Sequence, residues 1–122
     1  MSNYLSNPSS LFSVKDKVVV ITGATGAFGS MAAELMAAAG AKLILAAGNK
    51  LELENVVAKC ASYEVKVNSV ALRPSSEENC DAIIQAAIAE FGRIDILIVG
   101  SGKNDKAKID EIDQEIEDLT EM

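Results

Sequence analysis

The 122-residue sequence contains no histidine and no tryptophan, only two cysteines and two prolines, and few aromatic side chains. The absence of histidine excludes imidazole general bases, Ser/His triads and most zinc sites. Cys60 and Cys80 are too few for a disulfide framework and lack C-x-x-C spacing, so we expect buried or half-buried free thiols in a reducing compartment. The sequence therefore predicts no metal site and a cytoplasmic location.

Long apolar runs and an excess of positive charge are also missing. No run approaches the roughly 20 apolar residues of a membrane helix, and residues 1–13 lack the basic and apolar regions of a secretory signal. The net charge of −7 argues against nucleic acid, whose binding depends on neutralising phosphates. We therefore expect neither a membrane nor nucleic acid as a partner.

Short apolar segments alternate with helical patterns along the sequence. Runs rich in β-branched and aliphatic residues predict strands at 17–22, 42–46, 65–70 and 95–99. Helical spacing and capping residues predict helices at 27–39, from Asn49 to about 61, from the Pro74-Ser75-Ser76 segment to Phe91, and in the acidic tail at 109–119. The third helix carries Ile84, Ile88 and Phe91 on one face, at spacings of four and three residues.

Strand–helix alternation with short connections predicts parallel strands joined by right-handed crossovers. Apolar strands of this kind occur in sheets that are covered on both faces. The fold class predicted is α/β, a doubly wound parallel sheet of four strands in the order 3-2-1-4 within three α/β/α layers. Residues 1–13 are interpreted as an N-terminal arm that precedes a single domain at 14–122.

A glycine-rich turn, Thr-Gly-Ala-Thr-Gly-Ala-Phe-Gly at residues 22–29, separates the first predicted strand from the first predicted helix. A diphosphate at such a turn meets free backbone N–H groups and the positive end of the helix dipole. Glycines there allow the tight turn and the close approach of the ligand. The position of the turn favours a nucleotide site, and a packing turn without a ligand is the alternative.

Three segments resemble the short-chain dehydrogenase/reductase family. The pattern Thr22-Gly23-x-x-Gly26-x-x-Gly29 resembles its cofactor turn, and residues 91–98 resemble its approach to the fourth strand. Residues 11–18 are similar to the lead-in of sugar- and polyol-oxidising members. The resemblance implies the N-terminal, Rossmann-like half of such an oxidoreductase, truncated within the family pattern, with NAD(P) as its cofactor.

The resemblance also implies which residues bind the dinucleotide. Those implied to line the diphosphate and adenosine ribose are Gly23, Thr25, Gly26, Phe28 and Gly29. Those implied to face the 2′-position of that ribose are Ala47, Gly48 and Asn49. Those implied to flank the adenine are Arg73 and Pro74, and those beside the nicotinamide ribose are Gly100, Ser101 and Gly102.

Several of these positions depart from the family pattern. Ala47 and Gly48 stand where an Asp would signal NAD and an Arg NADP, and the absence of an acid favours NADP slightly. Arg73 replaces an Asp, and because a guanidinium carries only donors it would stack on the base or bind a phosphate. The Gly-Ser-Gly segment from Gly100 lacks the family's Asn side chains, and each lost contact costs on the order of 1 kcal/mol.

The catalytic set that the family would supply is absent from this sequence. Tyr4 and Tyr63 are followed four residues later by Pro8 and Val67, so neither begins a Tyr-x-x-x-Lys pair. Ser101 has no base beside it and is interpreted as a turn residue. We therefore predict no catalytic residue and no hydride transfer by this chain alone. The alternatives are an enzyme part that requires a complementary half, and a Rossmann-like scaffold or engineered fragment that binds no nucleotide and self-associates.

The predicted order places the apolar fourth strand at an edge of the sheet. An unpaired apolar edge is a template for pairing with another chain. We therefore expect a homo-oligomer that forms through this strand or through exposed helix faces.

Overall fold

The computed structural model describes residues 5–100, which form a four-stranded parallel sheet with helices on both faces. The strands are β1 (Val18–Thr22), β2 (Lys42–Ala46), β3 (Val67–Val70) and β4 (Ile96–Val99), in the order β3-β2-β1-β4. The helices are α1 (Ala27–Ala38), α2 (Lys50–Ala61) and α3 (Glu77–Phe91), preceded by a short 3-10 helix at Pro8–Phe12. The predicted fold class and strand order are confirmed. The predicted tail helix lies outside the described residues.

The core has two parts because side chains along each strand alternate between the two faces of the sheet. Val19, Ile21, Leu43 and Leu45 pack against α1 and α2. Val20, Ile44 and Ala46 pack on the opposite face against Ile83 and Ala87 of α3. Full burial of each large aliphatic side chain stabilises the fold by about 1.5–3 kcal/mol, so β1 and β2 dominate the stability of the sheet.

Side-chain caps fix where two of the helices begin. The Asn49 side-chain oxygen accepts a hydrogen bond of 3.1 Å from the Glu52 N–H, and the Ser76 hydroxyl accepts one of 3.1 Å from the Asn79 N–H. Each cap is worth about 1 kcal/mol. The predicted start of α2 is confirmed, and α3 begins after the second of the two serines in the predicted start segment.

The most deeply buried residues of α3 lie one position before Ile84 and Ile88, which the sequence places on its apolar face. Ile83 and Ala87 are buried, whereas Ile84 is half-buried and Ile88 is 42% exposed. Neighbouring residues on a helix point about 100° apart. Because Ile83 and Ile84 are adjacent and equally apolar, the spacing of apolar residues does not show which of them faces the core. Phe91 is partly buried against this cluster.

Two smaller expectations also need correction. β3 begins at Val67, two residues later than predicted, which is the usual scale of disagreement at element ends. Cys60 is buried as expected, but Cys80 is exposed on α3, so the expectation of a covered thiol is wrong for Cys80. None of the helices within residues 5–100 is long and apolar enough to cross a membrane.

Asp95 joins the start of β4 to the start of β1. Its Oδ2 accepts hydrogen bonds from the Val18 N–H at 2.8 Å and from the Arg93 Nε at 3.0 Å. Its own N–H donates to the Val18 carbonyl at 2.9 Å. The hydrogen bond from Val18, followed by the charge and hydrogen bond of Arg93, lowers the pKa of Asp95 below its ordinary value.

We expect Asp95→Asn to weaken the acid dependence of stability. A carboxyl whose pKa is lower in the folded state stabilises the fold above its unfolded pKa of about 3.9, and that contribution is lost as the pH falls through the folded pKa. The Tm difference between the native chain and the variant should therefore shrink below about pH 4. Circular dichroism melts measure it, with Asp81→Asn as a control because the Asp81 side chain makes no hydrogen bond or ion pair within residues 5–100. The same Tm difference at about pH 3 and about pH 7 would contradict the expectation.

Candidate functional site

A groove of about 860 Å³ runs along the carboxyl ends of the strands. Each of the four strands is followed by a segment that reaches it, as expected where the carboxyl ends of parallel strands share one edge of a sheet. The volume lies within the roughly 300–1,000 Å³ of small-molecule sites. The lining residues are Gly23, Thr25, Gly26, Ala47, Gly48, Asn49, Glu52, Arg73, Pro74, Ser75 and Gly100.

The glycine-rich turn after β1 is held by two backbone hydrogen bonds. Gly23 has a positive φ of 63°, in the left-handed region that favours glycine. The Gly26 N–H donates to the Gly23 carbonyl at 3.1 Å, and the Ala24 N–H donates to the Ala46 carbonyl at 3.1 Å. The second bond ties the turn to the end of β2.

Helix α1 begins directly against this turn because Gly29 has no side chain. A Cβ on Gly29 would overlap the Gly23 carbonyl oxygen and would lie 2.7 Å from the Gly23 carbonyl carbon. A separation this short from backbone atoms cannot be relieved by a side-chain rotation. The close contact therefore sets the position of the first turn of α1.

The glycine-rich turn and the first turn of α1 leave hydrogen-bond donors available beside the groove. The N–H groups of Thr25, Ala27, Phe28 and Gly29 donate to no acceptor within residues 5–100. Unpaired N–H groups together with the positive end of the helix dipole favour an anion. The arrangement can hold a phosphate without a basic side chain.

The segments after β2 and β3 meet at the far end of the groove. Ala47 is buried, and its N–H donates to the Val70 carbonyl at 3.3 Å. A Cβ on Gly48 would overlap the Arg73 Nε and would lie 2.9 Å from the Arg73 Cγ. The Arg73 side chain is exposed and makes no hydrogen bond or ion pair with any residue from 5 to 100. Its guanidinium donors are available to a ligand.

The segment after β4 closes on the turn. The Gly100 N–H donates to the Thr22 carbonyl at 3.0 Å. A Cβ on Gly100 would lie 2.9 Å from that carbonyl oxygen and 3.3 Å from the Gly29 Cα. Ser101 and Gly102, also implied by the resemblance, lie outside the described residues.

The structure brings most of the implied site residues together, and it adds two. Phe28 and Gly29 lie beside the groove rather than on its wall: the Phe28 side chain is 57% exposed, and Gly29 packs on the turn. Glu52 and Ser75 line the groove but were not foreseen. Their positions in the sequence could have indicated them, because Glu52 lies in the first turn of the helix after β2 and Ser75 directly precedes the residue that caps α3.

A smaller cleft of about 200 Å³ lies between α1 and α2, away from the groove. Burial, aided by the charge of Glu34, raises the pKa of the Cys60 thiol to about 11. Nearby, the Tyr63 hydroxyl donates to a Glu34 carboxylate oxygen at 3.0 Å. Since the thiolate is the reactive form, Cys60 is a packing residue here. Residues 5–100 contain no cluster of three or more Cys, Asp or Glu side chains suited to a metal ion.

A doubly wound parallel sheet with a glycine-rich turn at its carboxyl edge defines the Rossmann-like, dinucleotide-binding class of domains. A family model for short chain dehydrogenase matches residues 17–121. The chain belongs to the short-chain dehydrogenase family.

Relatives of this chain include uncharacterized oxidoreductases from two bacteria. One from Mycobacterium tuberculosis is 42% identical over 101 residues, which cover 83% of this chain and 37% of the relative. One from Staphylococcus saprophyticus is 40% identical over 89 residues, which cover 73% of this chain and 35% of the relative. The chain thus spans little more than a third of the length of these curated relatives.

Solved structures of the same fold include two enzymes of polyol and sugar chemistry. NAD+-bound xylitol dehydrogenase has 30% identity and a TM-score of 0.66, over 69% of this chain and 32% of that one. L-Sorbose reductase from Gluconobacter frateurii, complexed with NADPH and L-sorbose, has 31% identity and a TM-score of 0.69, over 77% and 37%. Both of these structures contain a nicotinamide dinucleotide.

We expect Gly29→Ala to destabilise the fold. In a helix, alanine is ordinarily more favourable than glycine by about 1 kcal/mol, but here its Cβ would overlap the Gly23 carbonyl oxygen. Overpacking of this kind costs about 1–3 kcal/mol, measured as the free energy of unfolding in urea. Gly26→Ala is the matched control, because its Cβ would meet the same oxygen at 3.4 Å. A Gly29→Ala protein that is as stable as the control would show that α1 can move away from the turn.

Proposed function

We propose that residues 5–100 bind the adenosine diphosphate portion of NAD(P), as the cofactor-binding part of a short-chain dehydrogenase-type oxidoreductase. The observation that carries the proposal is a groove with the glycine-rich turn on its wall, beside N–H groups of that turn and of α1 that have no acceptor within residues 5–100. The nicotinamide dinucleotides named in the structures of xylitol dehydrogenase and L-sorbose reductase support it.

The groove fits a dinucleotide in size and in chemistry. Its wall at the turn is made of Gly23, Thr25 and Gly26, which leave the backbone open to a close ligand. The diphosphate would accept hydrogen bonds from the turn and from the first turn of α1. The adenosine would extend along the groove toward Gly48 and Arg73.

The bound cofactor would supply or accept a hydride, while the residues of this chain bind and orient its adenosine end. We propose that these 122 residues do not complete that reaction by themselves, because they contain no Tyr-x-x-x-Lys pair. The absence of an acid at Ala47 favours the 2′-phosphorylated cofactor. A sugar or polyol is the proposed substrate class of the complete enzyme, from the lead-in at residues 11–18 and from the two named enzymes.

We expect Gly26→Ala to weaken the binding of NADH and NADPH about tenfold or more. The added methyl group would stand on the groove wall and keep the diphosphate from the N–H groups, and charge-assisted hydrogen bonds of this kind are worth about 1.5–3 kcal/mol. Titration calorimetry at low salt measures the affinities. Ser62→Thr is the matched control, because it also adds one methyl group, but at the C-terminal end of α2, whereas the groove lies at the N-terminal end of that helix.

Two outcomes of this experiment would contradict the proposal. One is native affinity for both cofactors in Gly26→Ala, and the other is no heat from either cofactor in the native chain at millimolar concentration. Formation of NADH from NAD+ when the purified chain is mixed with polyols would contradict only the claim that the reaction needs further residues.

We also propose that the chain self-associates through β4. Leu97 and Val99 lie on the α3 face of the sheet and are 52% and 65% exposed. Within residues 5–100, β1 is the only strand that pairs with β4. An apolar strand with one free edge is a template for a second chain.

We expect the double variant Leu97→Lys, Val99→Lys to lower the mass measured by light scattering at high protein concentration. Lysine on an exposed edge opposes strand pairing between chains. Leu51→Lys is the control, since Leu51 is 76% exposed on α2, far from β4. A monomeric mass for the native chain would contradict self-association, and an unchanged mass for the double variant would rule out β4 as the interface.

A further inference from the structure

The Arg73 side chain lies directly against the backbone of Gly48 at the end of the groove. Gly48 follows Ala47 after β2, whereas Arg73 follows β3, 25 positions further along the sequence. A Cβ on Gly48 would overlap the Arg73 Nε and would lie 3.1 Å from the Arg73 Cδ. The Arg73 side chain therefore occupies the volume that a side chain at position 48 would fill.

We propose that Arg73, seated on Gly48, binds the 2′-phosphate of the adenosine ribose and thereby gives the chain its preference for NADP(H). This inference rests on the proposed function and assigns the preference to residues. Arg73 is the only cation that residues 5–100 contribute to the lining of the groove. Its donors have no acceptor within residues 5–100, and a planar guanidinium matches a phosphate with two parallel hydrogen bonds.

The neighbouring polar side chains at this end of the groove differ in their effect on a phosphate. The Asn49 side-chain oxygen is engaged in capping α2. Among the residues from 5 to 100, Glu52 is the only acid in the lining, and it forms no ion pair with Arg73. Its negative charge therefore opposes a 2′-phosphate. Arg73 supplies the attraction, and we expect Glu52→Gln to strengthen the binding of NADPH a few-fold.

The absence of a side chain at Gly48 leaves room for the Arg73 guanidinium and so determines where it lies. Gly48 has no positive φ, so alanine meets no backbone strain there. The atoms that a new Cβ would meet belong to the flexible Arg73 side chain. Gly48→Ala therefore displaces the guanidinium and leaves the net charge unchanged. The variant tests whether the position of the positive charge matters, whereas Arg73→Gln tests whether the charge itself matters.

The test compares the affinities for NADPH and NADH in the native chain, Arg73→Gln and Gly48→Ala by titration calorimetry. We expect the native chain to bind NADPH at least about tenfold more tightly than NADH. Arg73→Gln should lose about ten- to a hundredfold in affinity for NADPH and less than about twofold for NADH. Gly48→Ala should lose several-fold for NADPH only. Lys59→Gln, which removes the same charge from the opposite end of α2, should change neither affinity.

The outcomes separate this inference from the proposed function on which it rests. Equal affinity of the native chain for the two cofactors, or tighter NADH binding, would overturn the role of Arg73 and leave the dinucleotide site in place. An equal loss of both affinities in Arg73→Gln would also overturn it, because that result indicates stacking on the adenine. No binding of either cofactor to the native chain would overturn the proposed function and this inference together.

Discussion

The contact between Gly29 and the carbonyl of Gly23 is the constraint on which the rest of the site depends. Because no side chain separates them, α1 starts in contact with the turn that ends β1. This contact holds the N–H groups of the first helical turn, which have no acceptor within residues 5–100, beside the groove. It also leaves room for Gly100, so the segment after β4 reaches the same place. A single missing Cβ thus brings the ends of two neighbouring strands and one helix together.

The order of the strands explains why the groove opens where it does. From β1 the chain proceeds outward through β2 to β3, and it then returns across the sheet to β4 on the other side of β1. The helices after β1 and β2 cover one face, and the helix after β3 covers the other. The strand order therefore reverses at β1, and in open sheets of this kind ligands bind outside the carboxyl ends of the strands at that point.

The sequence predicts those features that depend on local chemistry. The strands, the Asn49 cap and the glycine-rich turn follow from residue type and spacing, and the strand order follows from the doubly wound fold class that the alternation of elements predicts. The features that it fails to predict depend on tertiary contacts. Spacing cannot choose between Ile83 and Ile84 for the buried face of α3. Nor can any local pattern show that Arg73 occupies the space above Gly48, because their contact joins segments that follow different strands.

The hydrogen bond between Asp95 and Val18 has a consequence for the order in which the chain is built. The two residues are 77 positions apart, and synthesis proceeds at about 5–20 residues per second. The ribosome therefore needs about 4–15 seconds after Val18 to reach Asp95, and β4 cannot pair with the second edge of β1 before then. During that interval β2 is the only strand within residues 5–100 that can pair with the central strand, so the second, apolar edge of β1 is exposed to neighbouring chains and chaperones.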